Sequence, residues 1–208
     1  AASRIAAMIE DEWGEMLIRG WNEAGWMHQP RRVGDRVARL IGAAPGTVVM
    51  GDTLSIKVFQ ALVAALEMRP DRQVILSDTG NFPSDLYMAE GLCALLDGRA
   101  RLKTVPPEEV AGHIDETVAV LMLTEVDYRT GRRHDMPALT AAAQAAGALT
   151  VWDLAHSAGA MPVDLAGAGP EELVRGRAMG DRRASLSQHR PFPAFQVDGM
   201  TENRTRAD

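Results

Sequence analysis

Asp153 and His156 are the residues whose types and spacing point most directly to chemistry. Asp153 ends an apolar run, and His156 follows it in the segment Trp152-Asp153-Leu154-Ala155-His156-Ser157-Ala158-Gly159. A carboxylate at the end of a buried strand is costly unless a cation meets it. A protonated pyridine nitrogen is such a cation, and the ion pair would keep that ring an electron sink for a neighbouring carbanion. We therefore expect Asp153 to pair with a ring nitrogen and His156 to hydrogen-bond the ring or Asp153.

The lysines of the chain limit what this arrangement can do. Enzymes that hold pyridoxal phosphate in this way also use a lysine that forms a Schiff base with it. The sequence has two lysines, Lys57 and Lys103, and both precede Asp153. The sequence thus predicts a pyridoxal-phosphate-binding segment without its central catalytic residue, so no catalytic residue is assigned.

Two other kinds of site would use the same residues. Asp153 and His156 could be metal ligands, but a metal site needs a third ligand, and His134-Asp135 is the only nearby candidate cluster. His156-Ser157 could belong to a hydrolase triad, although Ser157 does not lie in a Gly-x-Ser-x-Gly elbow. We rank both below the ring-binding hypothesis and predict no metal ion.

The loop that leads to Ser55 is a candidate phosphate site. Ligands of open α/β sheets bind beyond the carboxyl ends of the strands. The predicted strand ending near Met50 leads through Gly51-Asp52-Thr53-Leu54-Ser55 into a strong helix. Hydroxyls and free N–H groups at a helix start, helped by the helix dipole, favour a phosphate. The structural alternative is that Ser55 simply caps the helix.

Two further loops place aromatic or polar groups at the same edge. Phe82 offers an aromatic face for a planar ring, and Asp85 offers a carboxylate in the first turn of the following helix. The alternative is an ordinary helix start, with Pro83 at its first position and Asp85 favoured by the dipole. Thr124 ends the next strand and precedes Tyr128-Arg129-Thr130-Gly131, a turn that could place a hydroxyl near a cofactor.

The elements that must position these residues follow from hydrophobic periodicity. Helical spacing predicts helices over residues 4–19 and 33–42, with a loop at 20–29 between them. Strand and helix patterns then alternate over 47–50, 55–68, 73–77, 83–96, 101–105, 107–113, 117–123, 136–146 and 148–153. Strands such as 118–123 are continuously apolar, as expected when both faces are covered. We predict an α/β fold with a mostly parallel sheet flanked by helices.

Composition narrows the class of partner. With 208 residues and 46% hydrophobic content, the chain forms one domain or a large part of one. A net charge of -6 gives no global reason to expect nucleic acid or an anionic membrane as a partner, and no stretch is apolar enough to span a membrane. The only cysteine, Cys93, is predicted to be a buried structural thiol, which fits a reducing cytoplasm.

The character of the sequence changes after about Gly169. The next strand does not follow, and arginines cluster between Arg175 and Arg183. A disordered tail and a frameshifted one both explain this change. We divide the chain into a partial cofactor-binding domain, residues 1–169, and an irregular or frameshifted tail, residues 170–208. The sequence begins at Ala1 without an initiator Met, and its character changes after about Gly169. We therefore expect it to be truncated at both ends.

The order of these motifs resembles kynureninase, a fold-type-I pyridoxal-phosphate hydrolase that splits kynurenine into anthranilate and alanine. The resemblance runs from about Ile5 to about Gly169. Its most specific pieces are Asn81-Phe82-Pro83-Ser84-Asp85-Leu86-Tyr87, Tyr128-Arg129-Thr130-Gly131 and the segment from Trp152 to Gly159.

The resemblance implies roles at the matching positions. Leu54 and Ser55 would contact the cofactor phosphate, and Phe82 would cover the pyridine ring. Asp85, Thr124, Asp153 and His156 would complete the cofactor site, while Trp21 and Asn22 would line the substrate site. The fold implied is the partial large domain of a fold-type-I enzyme.

The resemblance also implies a small-molecule amino-acid substrate, a homodimer when intact, a cytoplasmic location and a place in tryptophan catabolism. The family's Tyr-Lys-Tyr stretch and its C-terminal small domain do not follow Asp164-Leu165, so the chain as written is expected to be inactive. The alternatives are another fold-type-I enzyme, such as a desulfurase or an aminotransferase, and a non-catalytic remnant that binds a phosphate-bearing ligand.

Overall fold

A four-stranded parallel sheet organises the described part of the chain. The computed structural model describes residues 1–168. The strands are β1 Val74–Asp78, β2 Arg101–Val105, β3 Val118–Thr124 and β4 Leu149–Asp153, in the order β2-β1-β3-β4. Every pairing is parallel. The predicted α/β fold with a parallel sheet is therefore confirmed.

Helices surround the sheet and precede it. The α-helices are α1 Ala2–Ala7, α2 Gln29–Ile41, α3 Leu54–Met68, α4 Pro83–Leu95 and α5 Met136–Ala145. Met8–Glu15 is a π-helix, and Leu17–Trp21, Trp26–His28 and Pro107–His113 are 3-10 helices. No helix among residues 1–168 combines the length and the apolar character needed to cross a membrane.

Alternate residues of the strands enter two separate cores, one on each face of the sheet. Leu121 and Leu123 of β3 pack with residues of α2 and α5. Val120 and Met122 pack on the opposite face, with residues of α3 and α4. Because both faces are covered, all seven residues of β3 are buried, which explains the continuous apolar pattern of this strand.

Chain connections bring the starts of α3 and α4 to the carboxyl end of the sheet. A short loop joins the end of α3 to the start of β1, so α3 runs antiparallel to the strands and its own first turn lies at their carboxyl ends. β1 then leads through a tight turn directly into α4, whose first turn lies at the same edge. Pro83 begins α4 because its fixed φ suits a first helical position.

Three sequence-based assignments near the amino end differ from the structure. Residues 47–50 do not form a strand. They pack against α2 at Gly34, where the absence of a side chain allows a close approach. The Met50 N–H donates to the Pro30 carbonyl at 3.0 Å. The single helix predicted over 4–19 is divided into α, π and 3-10 turns, and the loop predicted at 20–29 contains helical turns at Trp21 and at Trp26–His28. Most residues of this segment are exposed, so packing does not impose one regular helix on it. The predicted tail, 170–208, lies outside the described residues.

Candidate functional site

Three polar residues end neighbouring strands at one edge of the sheet. Asp78 ends β1, Thr124 ends β3 and Asp153 ends β4. Thr124 and Asp153 are direct partners in the β3–β4 register. Each of the three is at most 5% exposed, and the Thr124 hydroxyl and the Asp153 carboxylate meet in a largely dry environment.

Asp153 accepts two hydrogen bonds from the described residues and forms no ion pair with them. The Thr124 hydroxyl donates to its Oδ2 atom at 3.3 Å, and the Ala155 N–H donates to Oδ1 at 2.7 Å. Neutral donors hold the carboxylate in place, yet they leave its charge uncompensated.

Asp85 places a second carboxylate beside the first. The first turn of α4 holds it in a fully buried position, and the Ser84 hydroxyl donates to Oδ1 at 3.5 Å. Its Oδ2 atom has no hydrogen-bond partner. Burial, and then the charge of Asp153, raise the pKa of Asp85 to about 6. Because these two buried carboxylates have no cationic partner among the described residues, this edge of the sheet is strongly negative.

An aromatic cluster of Phe82, Tyr128 and His156 lies near these carboxylates in the chain. The ring centroids of Phe82 and Tyr128 are 5.0 Å apart and meet edge to face. The ring centroid of His156 is 5.9 Å from that of Phe82 and 6.3 Å from that of Tyr128. His156 is exposed and Phe82 is half-buried, so both rings are accessible from solvent. Phe82 and His156 stand three positions from Asp85 and Asp153 respectively, which brings the aromatic cluster and the carboxylates to one edge.

The Asn81 side chain hydrogen-bonds to several elements at this edge of the sheet, a role that sequence analysis missed. Its amide Nδ2 donates to Ser77 Oγ at 2.8 Å and to the Met122 carbonyl at 3.2 Å. Its Oδ1 atom accepts from the Phe82 N–H at 2.7 Å and from the Thr124 hydroxyl, whose single proton is shared between Asn81 Oδ1 and Asp153 Oδ2. The amide therefore joins β1, β3 and the start of α4, and its position in the run before Phe82 was the only sequence signal.

His134, a candidate third metal ligand, contacts Asp78 rather than Asp153. The His134 Nε2 atom lies 2.6 Å from Asp78 Oδ2, and both side chains are buried. Asp153 is held by Thr124 and Ala155 instead. Within residues 1–168, no group of three His, Cys, Asp or Glu residues is placed to hold a metal ion.

The candidate phosphate residues Leu54 and Ser55 lie in the first turn of α3. Thr53 is the N-cap of this helix, and no side chain caps it, so the interpretation of Ser55 as a simple cap is wrong. Leu54 is 41% exposed and Ser55 is half-buried, which leaves the helix start accessible. The hydrogen bonds and ring contacts within 1–168 do not join this turn to Asp153.

The two substrate candidates lie elsewhere in the described part of the chain. Trp21 ends a 3-10 helix, and its ring meets the edge of Trp26 at 6.4 Å between centroids. Asn22 follows in an exposed turn. No hydrogen bond or ring contact among residues 1–168 joins either residue to the aromatic cluster.

Neither lysine contacts the carboxylates. Lys57 lies in α3, where its Nζ atom donates to Gln60 Oε1 at 3.0 Å. Lys103 lies on β2, which two strands separate from β4, and its Nζ atom is 3.0 Å from His113 Nδ1. Among the described residues, Asp153 and Asp85 thus have no lysine partner.

Known proteins with similar sequences include kynureninases. The kynureninase of Pseudomonas fluorescens is 52% identical over 179 residues, which are 84% of this chain and 43% of that protein. The kynureninase of Burkholderia pseudomallei is 53% identical over 173 residues, which are 81% of this chain and 42% of that protein. The chain therefore spans about two-fifths of the length of these curated relatives. The similarity to kynureninases predicted from the motifs is confirmed.

Solved structures with the same fold include a NifS-like protein, with a TM-score of 0.66 and 15% identity over 81% of this chain and 48% of that one. A C-DES mutant with glycine covalently linked to its PLP cofactor has a TM-score of 0.60 and 15% identity over 79% of this chain and 46% of that one. At this identity the likeness concerns the fold alone. The model of the family named aminotransferase class-V matches residues 21–171, most of the chain. The chain therefore belongs to the aminotransferase class-V family.

Proposed function

We propose that this chain is the pyridoxal-phosphate-binding part of a kynureninase-type hydrolase, which splits kynurenine into anthranilate and alanine. The observation that carries the proposal is the pair of buried carboxylates, Asp85 and Asp153, with an unpartnered oxygen and no cation from the described residues. Sequence identity of about 52% to kynureninases supports the same assignment.

The residues at the sheet edge fit a cationic ring. A protonated pyridine nitrogen would compensate the charge of Asp153, and a planar ring would fit beside the face of Phe82. When bound, pyridoxal phosphate supplies an electron sink for the carbanion formed at the amino-acid carbon. Asp153 holds the proton on the ring nitrogen, because an adjacent negative charge favours the charged form of a base.

The remaining residues orient and shield that ring. Thr124 fixes the Asp153 carboxylate through its hydroxyl at 3.3 Å. Phe82 and His156 border the site, where Phe82 excludes water from one ring face and His156 offers a ring nitrogen for a hydrogen bond. Asp85 adds negative charge that strengthens the preference for a cation.

The phosphate is assigned to the first turn of α3. Leu54 and Ser55 present backbone N–H groups that no side chain caps, and the helix dipole favours an anion there. Trp21 and Asn22 are assigned to the substrate by the resemblance to kynureninases, and this assignment remains a prediction.

The placement of the lysines bears on turnover. Lys57 contacts Gln60 and Lys103 contacts His113, so neither is placed to link to a cofactor held at Asp153. We expect the 208-residue chain to bind pyridoxal phosphate without a covalent bond and to release no anthranilate, because proton transfer at the α-carbon lacks its base.

Equilibrium dialysis with pyridoxal phosphate tests the proposal. The wild-type chain should bind one equivalent, and Asp153→Asn should weaken binding about tenfold or more, because the ion pair is lost. Asp71→Asn removes an exposed carboxylate and should leave binding unchanged. Equal affinities for wild type and Asp153→Asn would refute the proposed site.

The substrate class needs a separate measurement. Kynurenine should displace or perturb the absorbance of the bound cofactor at lower concentration than cysteine does. A stronger response to cysteine would favour a desulfurase-type enzyme instead. Anthranilate fluorescence in the same samples tests the expected lack of turnover.

The wider assignments are part of the same proposal. We assign residues 1–169 to one cofactor-binding domain, in agreement with the family match over 21–171. A homodimer and a cytoplasmic location follow from the resemblance to kynureninases. Sedimentation equilibrium with and without pyridoxal phosphate would detect the dimer.

A further inference from the structure

The hairpin of residues 125–134 leaves the end of β3 and carries Tyr128. The Asp127 N–H donates to the Arg132 carbonyl and the His134 N–H donates to the Glu125 carbonyl, both at 2.9 Å. The Asp127 carboxylate accepts from the N–H groups of Arg129 and Thr130 at 2.8 and 3.0 Å. These bonds give the hairpin tip one shape, so its attachment to the sheet decides where Tyr128 lies.

Asp78 provides a side-chain attachment of the hairpin to the end of β1 and also holds the turn before Phe82. Its Oδ1 atom accepts from the Gly80 N–H at 2.6 Å. Its Oδ2 atom lies 2.6 Å from His134 Nε2. One carboxylate at the end of β1 therefore fixes both loops that carry the rings of Phe82 and Tyr128.

The pair of Asp78 and His134 is well suited to this task. The side chains of Asp78 and His134 are 3% and 5% exposed, so water does not compete for their hydrogen bond. The Arg132 guanidinium adds a contact to Asp78 Oδ2 at 3.5 Å. The His134 ring also meets the Trp152 ring edge to face, with 6.4 Å between ring centroids. The buried Asp78 carboxylate is contacted by Gly80, His134 and Arg132. These three contacts restrict the pair of Asp78 and His134 to one geometry.

The hairpin also lies directly on the turn that precedes Phe82. A Cβ atom on Gly80 would approach Asp127 Oδ2 to 2.8 Å and Asp78 Oδ1 to 3.1 Å. The close approach places Tyr128 against Phe82, with 5.0 Å between the ring centroids. A shift of the hairpin would therefore move both rings.

We propose that Asp78 and His134 are positioning residues of the cofactor site, which set the angle at which Phe82 and Tyr128 border the bound ring. The inference rests on the proposed function, because the ring in question is that of pyridoxal phosphate. Neither residue touches the cofactor. They act by locking the two loops to the end of β1.

Three variants of the full 208-residue chain test the inference. His134→Leu removes the hydrogen bond to Asp78, while His134→Gln keeps a side-chain N–H donor. His28→Leu is the control, because His28 is exposed in a 3-10 helix of the amino-terminal segment. The readouts are hydrogen exchange of the Asp127 and His134 amides without cofactor, and the dissociation rate and induced circular dichroism of bound pyridoxal phosphate.

The expected result is specific to positioning. His134→Leu should accelerate amide exchange in the hairpin, raise the dissociation rate about tenfold and reduce the induced dichroism per bound cofactor. His134→Gln should restore most of each signal, and His28→Leu should match wild type. If His134→Leu does not fold, Asp78→Asn replaces it, since the amide oxygen still accepts from Gly80 while the charge is lost.

The outcomes separate the two claims. Wild-type cofactor binding that depends on Asp153, combined with unchanged dissociation and dichroism in His134→Leu, overturns only the positioning role. Absence of cofactor binding by the wild-type chain overturns the proposed function and this inference together.

Discussion

Asp85 and Asp153 lie close enough for their buried carboxylates to repel each other at the carboxyl edge of the sheet. Burial first, and the charge of Asp153 second, raise the pKa of Asp85 to about 6 from its ordinary value of 3.8. Such an arrangement destabilises the protein alone and is relieved by a bound cation. The repulsion between these two carboxylates is thus the strongest indication of a binding site among the described residues.

The first prediction concerns Asp85→Asn. The unfolded chain binds this proton with a pKa near 3.8 and the folded chain with one of about 6. The folded state therefore loses stability as pH rises from about 4 through 6, and the loss is complete above the folded pKa. Each pKa unit corresponds to ~1.4 kcal/mol, so the loss at pH 7 is about 3 kcal/mol. Asp85→Asn should recover much of it in the cofactor-free chain.

Urea unfolding between pH 4.5 and 7.5 measures the effect. The variant should gain stability at pH 7.5 and show a flatter pH profile than wild type, whereas the exposed control Asp71→Asn should follow wild type. A variant less stable than wild type at pH 7.5 would contradict the proposed repulsion.

The sheet and its helices could be predicted from the sequence because their patterns are local. Residues 118–123 form one unbroken apolar run, and β3 Val118–Thr124 is buried throughout. Residues 47–50 show the same apolar, partly β-branched composition and yet form no strand, because they lie on Gly34 of α2 rather than beside a strand. Composition identifies an extended segment but does not identify its partner.

Site residues were predictable where a strand end or a helix start fixes them. Thr124 and Asp153 end adjacent strands, so the sequence sufficed to place them at one edge. The contact of Asp78 with His134 joins residues 56 positions apart, and no local pattern encodes such a pair. The missing partner of Asp85 Oδ2 likewise depends on the packing of α4, which only the folded structure provides.

The second prediction concerns the close approach at Gly80. A Cβ atom there would lie 2.8 Å from Asp127 Oδ2, and backbone N–H groups hold that carboxylate in place. Gly80→Ala should therefore cost about 1–3 kcal/mol of stability through crowding. Gly91→Ala lies in α4 with no atom within 4 Å of the new Cβ, so it should gain up to about 1 kcal/mol. Denaturant unfolding of both variants distinguishes them, and a stable Gly80→Ala would disprove the close contact.

The third prediction concerns the contact of α2 with residues 47–50. A Cβ atom on Gly34 would collide with the Val48 carbonyl, which is backbone and yields little. Gly34→Ala should lower the free energy of unfolding by about 2 kcal/mol despite the better helix propensity of alanine. Gly112→Ala, with no atom within 4 Å of its Cβ, should change stability by less than about 0.5 kcal/mol. Thermal unfolding of the two variants side by side checks this difference, and equal stability would refute the contact.

The fourth prediction concerns the aromatic border of the site. Phe82→Leu keeps an apolar side chain but loses the flat face and the edge contact with Tyr128. Pyridoxal phosphate affinity should fall about threefold to tenfold, as expected for one aromatic pair. Tyr87→Leu removes an aromatic ring that is 64% exposed on α4 and should leave the affinity unchanged. Equal losses in both variants would argue against a specific role for Phe82.

The most direct test of the central claim compares pyridoxal phosphate with an analogue in which carbon replaces the ring nitrogen. If Asp153 receives a protonated ring nitrogen, the wild-type chain should bind pyridoxal phosphate about tenfold or more tightly than the analogue. Asp153→Asn should bind both compounds with similar, weaker affinity, and the Asp71→Asn control should discriminate as wild type does. Equal binding of the two compounds by the wild-type chain would contradict the assignment of Asp153 and the function built on it.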